Sequence, residues 1–199
     1  MNKINQMKKY AKENNIPIIE DEGLEILLEI IKQKKPKRIL EIGTAIGYSS
    51  LLMYLESNAE IYTIERDEKR YEIAVDNLKG YSNIKIFNTD ALLVENEEFG
   101  LFDLIYFDGA KSQNINFFEK YEKNLNSDGI IVIDNLFFHG LIFKKEEELS
   151  SKNIKQMMRK LKNFINYAKE LKDYDFLIIE RGDGIGILRR KNEIYNNTI

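Results

Sequence analysis

The sequence predicts an α/β fold: a seven-stranded, mostly parallel sheet with an antiparallel last strand and helices on both faces. Three observations predict it. From Arg38 onward, short apolar runs alternate with stretches of helical periodicity. That is the pattern of crossover connections, which leave parallel strands covered on both sides. The final two apolar runs, residues 174–180 and 185–190, are separated only by Arg181-Gly182-Asp183-Gly184. This is too short for a crossover, so the two pair antiparallel. Finally, 199 residues of which 43% are hydrophobic supply one substantial core and little material for a second. One domain over 1–199 is expected, with N-terminal helices over 1–36 and the sheet-bearing core over 37–190.

Residues 3–14 read as a polar helix. Residues 21–34 read as an amphipathic one, because Leu24, Leu27, Leu28 and Ile31 recur at helical spacing, and Pro36 closes it. The alternation then runs as strand 38–42 and helix 48–56, strand 61–65 and helix 67–79, strand 84–88, strand 102–107 and helix 113–124, and strand 129–134. A long helical stretch over 151–172 precedes the terminal strand pair. No internal repeat and no linker rich in Pro, Ser or Gly interrupts the chain, and its two prolines, Pro17 and Pro36, both precede the first strand.

Composition removes several function classes. Thirty Lys+Arg against 33 Asp+Glu leave a net charge of −3, so binding of nucleic acid by bulk positive charge is excluded and any such contact needs a local patch. Cysteine is absent, which excludes disulfides, thiolate metal sites and a cysteine nucleophile. A single histidine leaves no cluster for zinc. The first ten residues are polar and lysine-bearing, and no apolar run approaches the roughly 18 residues of a membrane span. A soluble cytoplasmic protein without membrane contact is expected.

Glu41-Ile42-Gly43-Thr44-Ala45-Ile46-Gly47 lies between the first strand and the next helix, where open α/β sheets bind nucleotides. Such glycines also occur in ordinary tight turns. The pattern is neither G-x-G-x-x-G nor a P-loop, which disfavours dinucleotides and triphosphates. S-adenosylmethionine, an adenosine cofactor without phosphate, fits better. Glu65 ends the second strand about 20 residues later and can accept hydrogen bonds from both ribose hydroxyls. Asp90, after the third strand, is placed to meet the adenine amino group.

A second group is acidic. Asp108 follows the apolar run Leu104-Ile105-Tyr106-Phe107, and Asp134-Asn135 follows Ile130-Ile131-Val132-Ile133. Acidic residues at strand ends are often only loop formers and caps. In a parallel sheet, however, both strand ends lie on the edge that carries the glycine loop, so two carboxylates and an amide oxygen converge there. All-oxygen ligation suits a hard divalent ion, Mg²⁺ first, with Mn²⁺ or Ca²⁺ next. Lys111 follows Asp108 by three residues. Beside a dication its ammonium form is disfavoured, which makes it a candidate base.

These residues resemble those of the cation-dependent class I O-methyltransferases, the family of catechol and caffeoyl-CoA enzymes and their bacterial relatives. The resemblance runs over residues 16–190. It rests on Arg38-Ile39-Leu40-Glu41-Ile42-Gly43-Thr44-Ala45-Ile46-Gly47-Tyr48-Ser49, Thr63-Ile64-Glu65-Arg66-Asp67, residues 102–111 with Asp108-Gly109-Ala110-Lys111, Asp134-Asn135, and Gly182-Asp183-Gly184. It implies a Rossmann-like methyltransferase sheet and cofactor contacts at Ile19, Gly43, Ser49, Glu65, Asp90, Ala91 and Asp108. It further implies metal ligation by Asp108, Asp134 and Asn135, catalytic roles for Lys111 and Asp108, and a homodimer. Within the family, residues 16–19 and 36–49 look most like the bacterial tRNA 5-hydroxyuridine methyltransferases, which form 5-methoxyuridine in the anticodon loop. Two departures concern the acceptor pocket: Gly109 stands where Ala is common, and Phe137, Phe138 and His139 stand where small-molecule enzymes often carry Trp.

Methyl transfer from a sulfonium is an in-line displacement, so the acceptor oxygen must be deprotonated and aimed. The vicinal oxygens of 5-hydroxyuridine and of catechol can both chelate one metal, so the same residues serve either acceptor. Residues 141–172 carry nine Lys+Arg (Lys144, Lys145, Lys152, Lys155, Arg159, Lys160, Lys162, Lys169, Lys172) against Glu146, Glu147, Glu148 and Glu170. That surplus favours tRNA as partner, with a small-molecule catechol as the alternative, although a solvated helix face has the same composition. Phe137 and Phe138 suit base stacking or core burial, and His139 a loop or packing position. A nicotinamide-dependent dehydrogenase would have no use for Asp134-Asn135, and a non-catalytic RNA-binding module would need no metal site.

Overall fold

The computed structural model describes residues 2–191; residue 1 and residues 192–199, included in the single-domain expectation, lie outside the described residues. Helices α1 (Lys3–Glu13) and α2 (Asp21–Lys34) come first. The Asn2 side chain caps α1 by accepting from the Asn5 N–H. Helix α2 stops because Lys35 turns left-handed (φ 51°) and Pro36 cannot continue the helix.

The remaining elements are β1 (Arg38–Ile42), α3 (Tyr48–Ser57), β2 (Glu60–Glu65), α4 (Glu68–Asn77), β3 (Ile84–Asn88), β4 (Phe102–Phe107), α5 (Asn114–Tyr121), β5 (Leu125–Ile133), α6 (Lys152–Glu170), β6 (Tyr174–Ile179) and β7 (Ile185–Arg190). The sheet order is β3-β2-β1-β4-β5-β7-β6. β7 runs antiparallel to both its neighbours and the other pairings are parallel, as expected. Two details differ from the sequence reading. β5 begins at Leu125 rather than 129, because Leu125 pairs with Phe102 across an irregularity before the regular register resumes at Ile130. The segment 113–124 is a short α-helix flanked by single turns of tighter helix.

Strand side chains alternate between two cores. Ile39, Ile61, Leu104, Tyr106 and Val132 face α1, α2 and α3, while Leu40, Ile64, Ile105, Phe107 and Ile131 face α5 and α6. Helix α6 buries Met158, Leu161, Phe164 and Ala168 at helical spacing, each large apolar side chain contributing roughly 1.5–3 kcal/mol. With both faces covered, the open edges of the core are the strand ends. The crossover direction reverses between β1 and β4, and the crevice outside their carboxyl ends is where an open α/β sheet receives its ligand.

Candidate active site

A cavity of about 700 Å³ occupies that crevice. Gly43, Glu65, Asp90, Ala91, Asp108, Lys111, Asp134 and Asn135 all line it, delivered by the ends of β1 to β5. Two expected contacts do not. Pro17, Ile18 and Glu20 line the cavity, whereas Ile19 between them is buried in the core beneath the N-terminal helices. Ser49 is buried in the first turn of α3, and its hydroxyl donates to the Glu41 carboxylate.

The glycine-loop end is well satisfied. Glu65 Oε2 accepts from the Ala45 N–H at 2.8 Å, and Oε1 from the Asp67 N–H at 2.9 Å. Each oxygen keeps a lone pair for a further donor, such as a ribose hydroxyl. Gly43 lines the cavity and is also required by the sheet itself. Its φ is +104°, and a Cβ there would lie 2.7 Å from the carbonyl oxygen of Asp108, so β1 and β4 meet too closely for any side chain. Asp90 lines the cavity with Oδ1 accepting from the Leu92 N–H, and the Tyr121 hydroxyl holds the Ala91 carbonyl at 2.6 Å.

Beneath this loop lies a group that the sequence reading passed over. Glu41 is fully buried and accepts from the hydroxyls of Ser49, Ser50 and Thr63, the last at 2.6 Å. Burial pushes its carboxyl up to about 7 against the opposing effect of those donors. The available signal was a carboxylate within the apolar run Ile39–Ile42, followed by two hydroxyl residues in the first turn of the next helix.

The opposite end concentrates charge. Lys111 Nζ donates to Asp108 Oδ1 at 2.9 Å, with side chains 11% and 19% exposed. Burial works to lower the Lys111 pKa, but Asp108, Asp134 and Asp183 outweigh it and hold the group above the ordinary lysine value. Without a cation, the surrounding carboxylates thus favour the Lys111 ammonium form. Burial raises Asp134, Lys111 lowers it, and the like charge of Asp108 raises it again.

Among the described residues no three His, Cys, Asp or Glu side chains gather as a metal site, so the oxygen set consists of Asp108, Asp134 and the Asn135 amide. Asn135 Oδ1 is buried without any hydrogen-bond partner, and Asn135 has a left-handed backbone (φ 60°). A buried acceptor with no donor costs about 1–3 kcal/mol, which a hard cation taking oxygen ligands would offset. The residues present fit such an ion.

The rim beyond Asn135 contains Phe138 (φ 45°) and His139 (φ 55°), both lining the cavity. Phe137 instead packs into the core and against Phe143, with ring centroids 4.8 Å apart. His139 is an exposed loop residue, not a packed one, and its Nδ1 is 3.3 Å from Asp183 Oδ2. Asp183, also on the cavity wall, was legible only as the middle of Gly182-Asp183-Gly184.

A family model described as O-methyltransferase matches residues 2–191. The chain belongs to the O-methyltransferase family. Its curated relatives include a caffeoyl-CoA O-methyltransferase of Populus kitakamiensis, 26% identical over 197 residues, covering 92% of this chain and 82% of the relative. They also include a flavonoid 3',5'-methyltransferase of Vitis vinifera, 30% identical over 151 residues, covering 70% and 63%. Among solved structures, a candidate caffeoyl-CoA O-methyltransferase from Staphylococcus aureus superposes with a TM-score of 0.89 at 31% identity, covering 96% of this O-methyltransferase and 93% of that chain. The S-adenosylhomocysteine-bound methyltransferase PaMTH1 of Podospora anserina shares the fold, with a TM-score of 0.85 at 23% identity over 96% and 89%. Among the described residues no helix is long and apolar enough to cross a membrane.

Proposed function

We propose that this O-methyltransferase moves a methyl group from S-adenosylmethionine to one of two vicinal oxygens on a small dihydroxylated aromatic acceptor of the catechol or caffeoyl type. The observation that carries the reading is a single cavity with Glu65 at one end and Asp108, Asp134 and Asn135 at the other. The caffeoyl-CoA enzymes among its relatives and the S-adenosylhomocysteine complex among its structural neighbours support it. When bound, the sulfonium cofactor supplies the methyl group, and a divalent cation, Mg²⁺ or Mn²⁺, favours the deprotonated acceptor.

The chain's own residues orient the reactants. Glu65, preset by two main-chain N–H groups, receives the ribose, and Asp90 faces the adenine edge. Asp108, Asp134 and Asn135 would hold the cation, and Lys111, bonded to Asp108, would face the acceptor oxygen from the same wall. The test is incubation with S-adenosylmethionine and either catechol or caffeoyl-CoA, with Mg²⁺ or with excess EDTA, followed by mass spectrometry. Methylated product only with the cation is expected. Absence of product from every vicinal diol overturns the acceptor assignment, and full activity in EDTA overturns the metal.

One observation favours a second acceptor, 5-hydroxyuridine in a tRNA anticodon loop. Helix α6 packs on the turn containing Lys111 at the cavity rim and exposes Lys152, Arg159, Lys160, Lys162 and Lys169, of which Arg159 alone forms an ion pair among the described residues, with Glu146. Nucleoside mass spectrometry after incubation with tRNA lacking the 5-methoxy group tests it. On this reading transfer falls steeply as salt rises, and Lys155→Glu with Arg159→Glu and Lys162→Glu raises KM for tRNA. Transfer that ignores salt overturns it.

A further inference from the structure

We infer that Asp183 is a positioning residue that shapes the acceptor side of the cavity by holding the segment after Asn135 in its left-handed path. The inference rests on the methyl-transfer reading above for the meaning of "acceptor", but its physical basis stands independently. Asp183 sits in the turn between β6 and β7, the hairpin that the antiparallel β7 inserts beside β5. That insertion brings the turn against the residues following the β5 end.

The two segments are joined by main-chain hydrogen bonds. The Leu136 N–H donates to the Gly184 carbonyl at 2.9 Å, and the Phe137 N–H to the Asp183 carbonyl at 2.8 Å. The Asp183 carboxylate then takes the His139 N–H with both oxygens, at 2.6 and 2.8 Å. This last contact falls where the chain most needs it. Phe138, His139 and Gly140 are consecutive residues at positive φ (45°, 55° and 74°), a path that Phe and His do not adopt without external support. A charge-assisted bond to the central amide supplies that support. Its partner is itself held, since a Cβ on Gly184 would lie 2.7 Å from the Phe137 ring, leaving the turn and the segment no slack.

The consequence is directional. Phe138 and His139 line the cavity beyond the β5 end that bears Asn135, with β4 and β1 between it and the β2 and β3 ends that carry Glu65 and Asp90. Loosening them alters how an acceptor is seated and leaves the adenosine end as it was.

The test compares wild type with Asp183→Ala and Asp183→Asn in three measurements: S-adenosylhomocysteine affinity by calorimetry, KM and kcat for catechol, and amide hydrogen exchange at residues 136–143. For the Ala variant, KM should rise at least tenfold with kcat within about threefold. Cofactor affinity should stay within twofold, and exchange at the His139 amide should speed up at least tenfold. The Asn variant, which keeps one acceptor oxygen, should fall between and serves alone if the Ala variant does not fold. Unchanged exchange at His139 overturns the clamp whatever the acceptor proves to be. Faster exchange with unchanged KM overturns its role in acceptor binding, and an equal loss of cofactor affinity reduces Asp183 to a general structural residue. A wild-type protein inactive on catechol would count against the acceptor assignment alone, with exchange still deciding the clamp.

Discussion

The two ends of the cavity are built on opposite principles. At the Glu65 end the polar groups described have partners: both carboxylate oxygens accept main-chain N–H groups, and Asp90 is tied to Leu92. At the Asp134 end, burial and the neighbouring Asp108 charge raise the Asp134 carboxyl, an amide oxygen is buried without a donor, and Asn135, Phe138 and His139 have left-handed backbones. The first end is preorganised by satisfied hydrogen bonds, and even its left-handed Ala45 (φ 47°) has its N–H bound to Glu65. The second holds unsatisfied chemistry in place, and surrounding structure must hold it there. A site that binds one constant molecule and activates another is expected to divide in this way, because only the second task needs groups whose energy improves when ligands arrive.

The largest expected effect comes from breaking the strained end. Asp134→Ala should reduce methyl transfer on the order of a thousandfold, the several kcal/mol that a bound cation contributes, while S-adenosylhomocysteine still binds by calorimetry. Loss of cofactor binding in the same variant would mean that the two ends are not independent.

Next comes Glu41, buried beneath the Glu65 end. Its native carboxyl titrates at about 7 against about 4.5 when exposed, so between those values the folded chain retains a proton that the unfolded chain has released. The stabilisation is full below pH 4.5, falls as pH rises through 7, and amounts to about 3 kcal/mol. Urea unfolding across pH 5 to 8 should show this decline in the wild type and a much flatter profile in Glu41→Gln. Parallel slopes in the two proteins would remove Glu41 as its source.

Glu65→Ala should weaken S-adenosylhomocysteine binding by about 1.5–3 kcal/mol, the range for hydrogen bonds to a charged group, read by calorimetry. Equal affinity in both forms would show that the Glu65 end does not receive the ribose. The smallest effect has the opposite sign. Asn135→Gly removes an orphaned buried oxygen and suits φ 60°, so the cation-free protein should become more stable by about 1 kcal/mol in urea unfolding while transfer is lost. A destabilised variant would argue that the Asn135 side chain is satisfied after all.

The strand ends account for most of what was legible. Asp108, Asp134, Glu65 and Asp90 could be placed together because each ends an apolar run, and parallel strands present all such ends on one edge. Ile19 and Ser49 escaped the same logic. Their positions depend on the packing of Ile19 into the core beside the N-terminal helices and on a buried carboxylate eight residues before Ser49, and neither is encoded in local pattern. Lys111 was readable as a member of the site, but the set of carboxylates that surrounds it, Asp183 included, was not.

By itself the sequence determined the alternation of elements, the antiparallel final pair and the carboxyl-edge cluster, because these depend on side-chain period, turn length and strand direction. Only the tertiary structure decided that β7 lies between β5 and β6, and that the Asp108 backbone leaves no room for a side chain at Gly43. It likewise decided that Asp183, nearly 50 residues along the chain from Asp134, closes the same cavity. The physical reason is common to these cases: each depends on which distant segments come within hydrogen-bonding or van der Waals reach, and that is settled by packing of the whole sheet rather than by any window of residues.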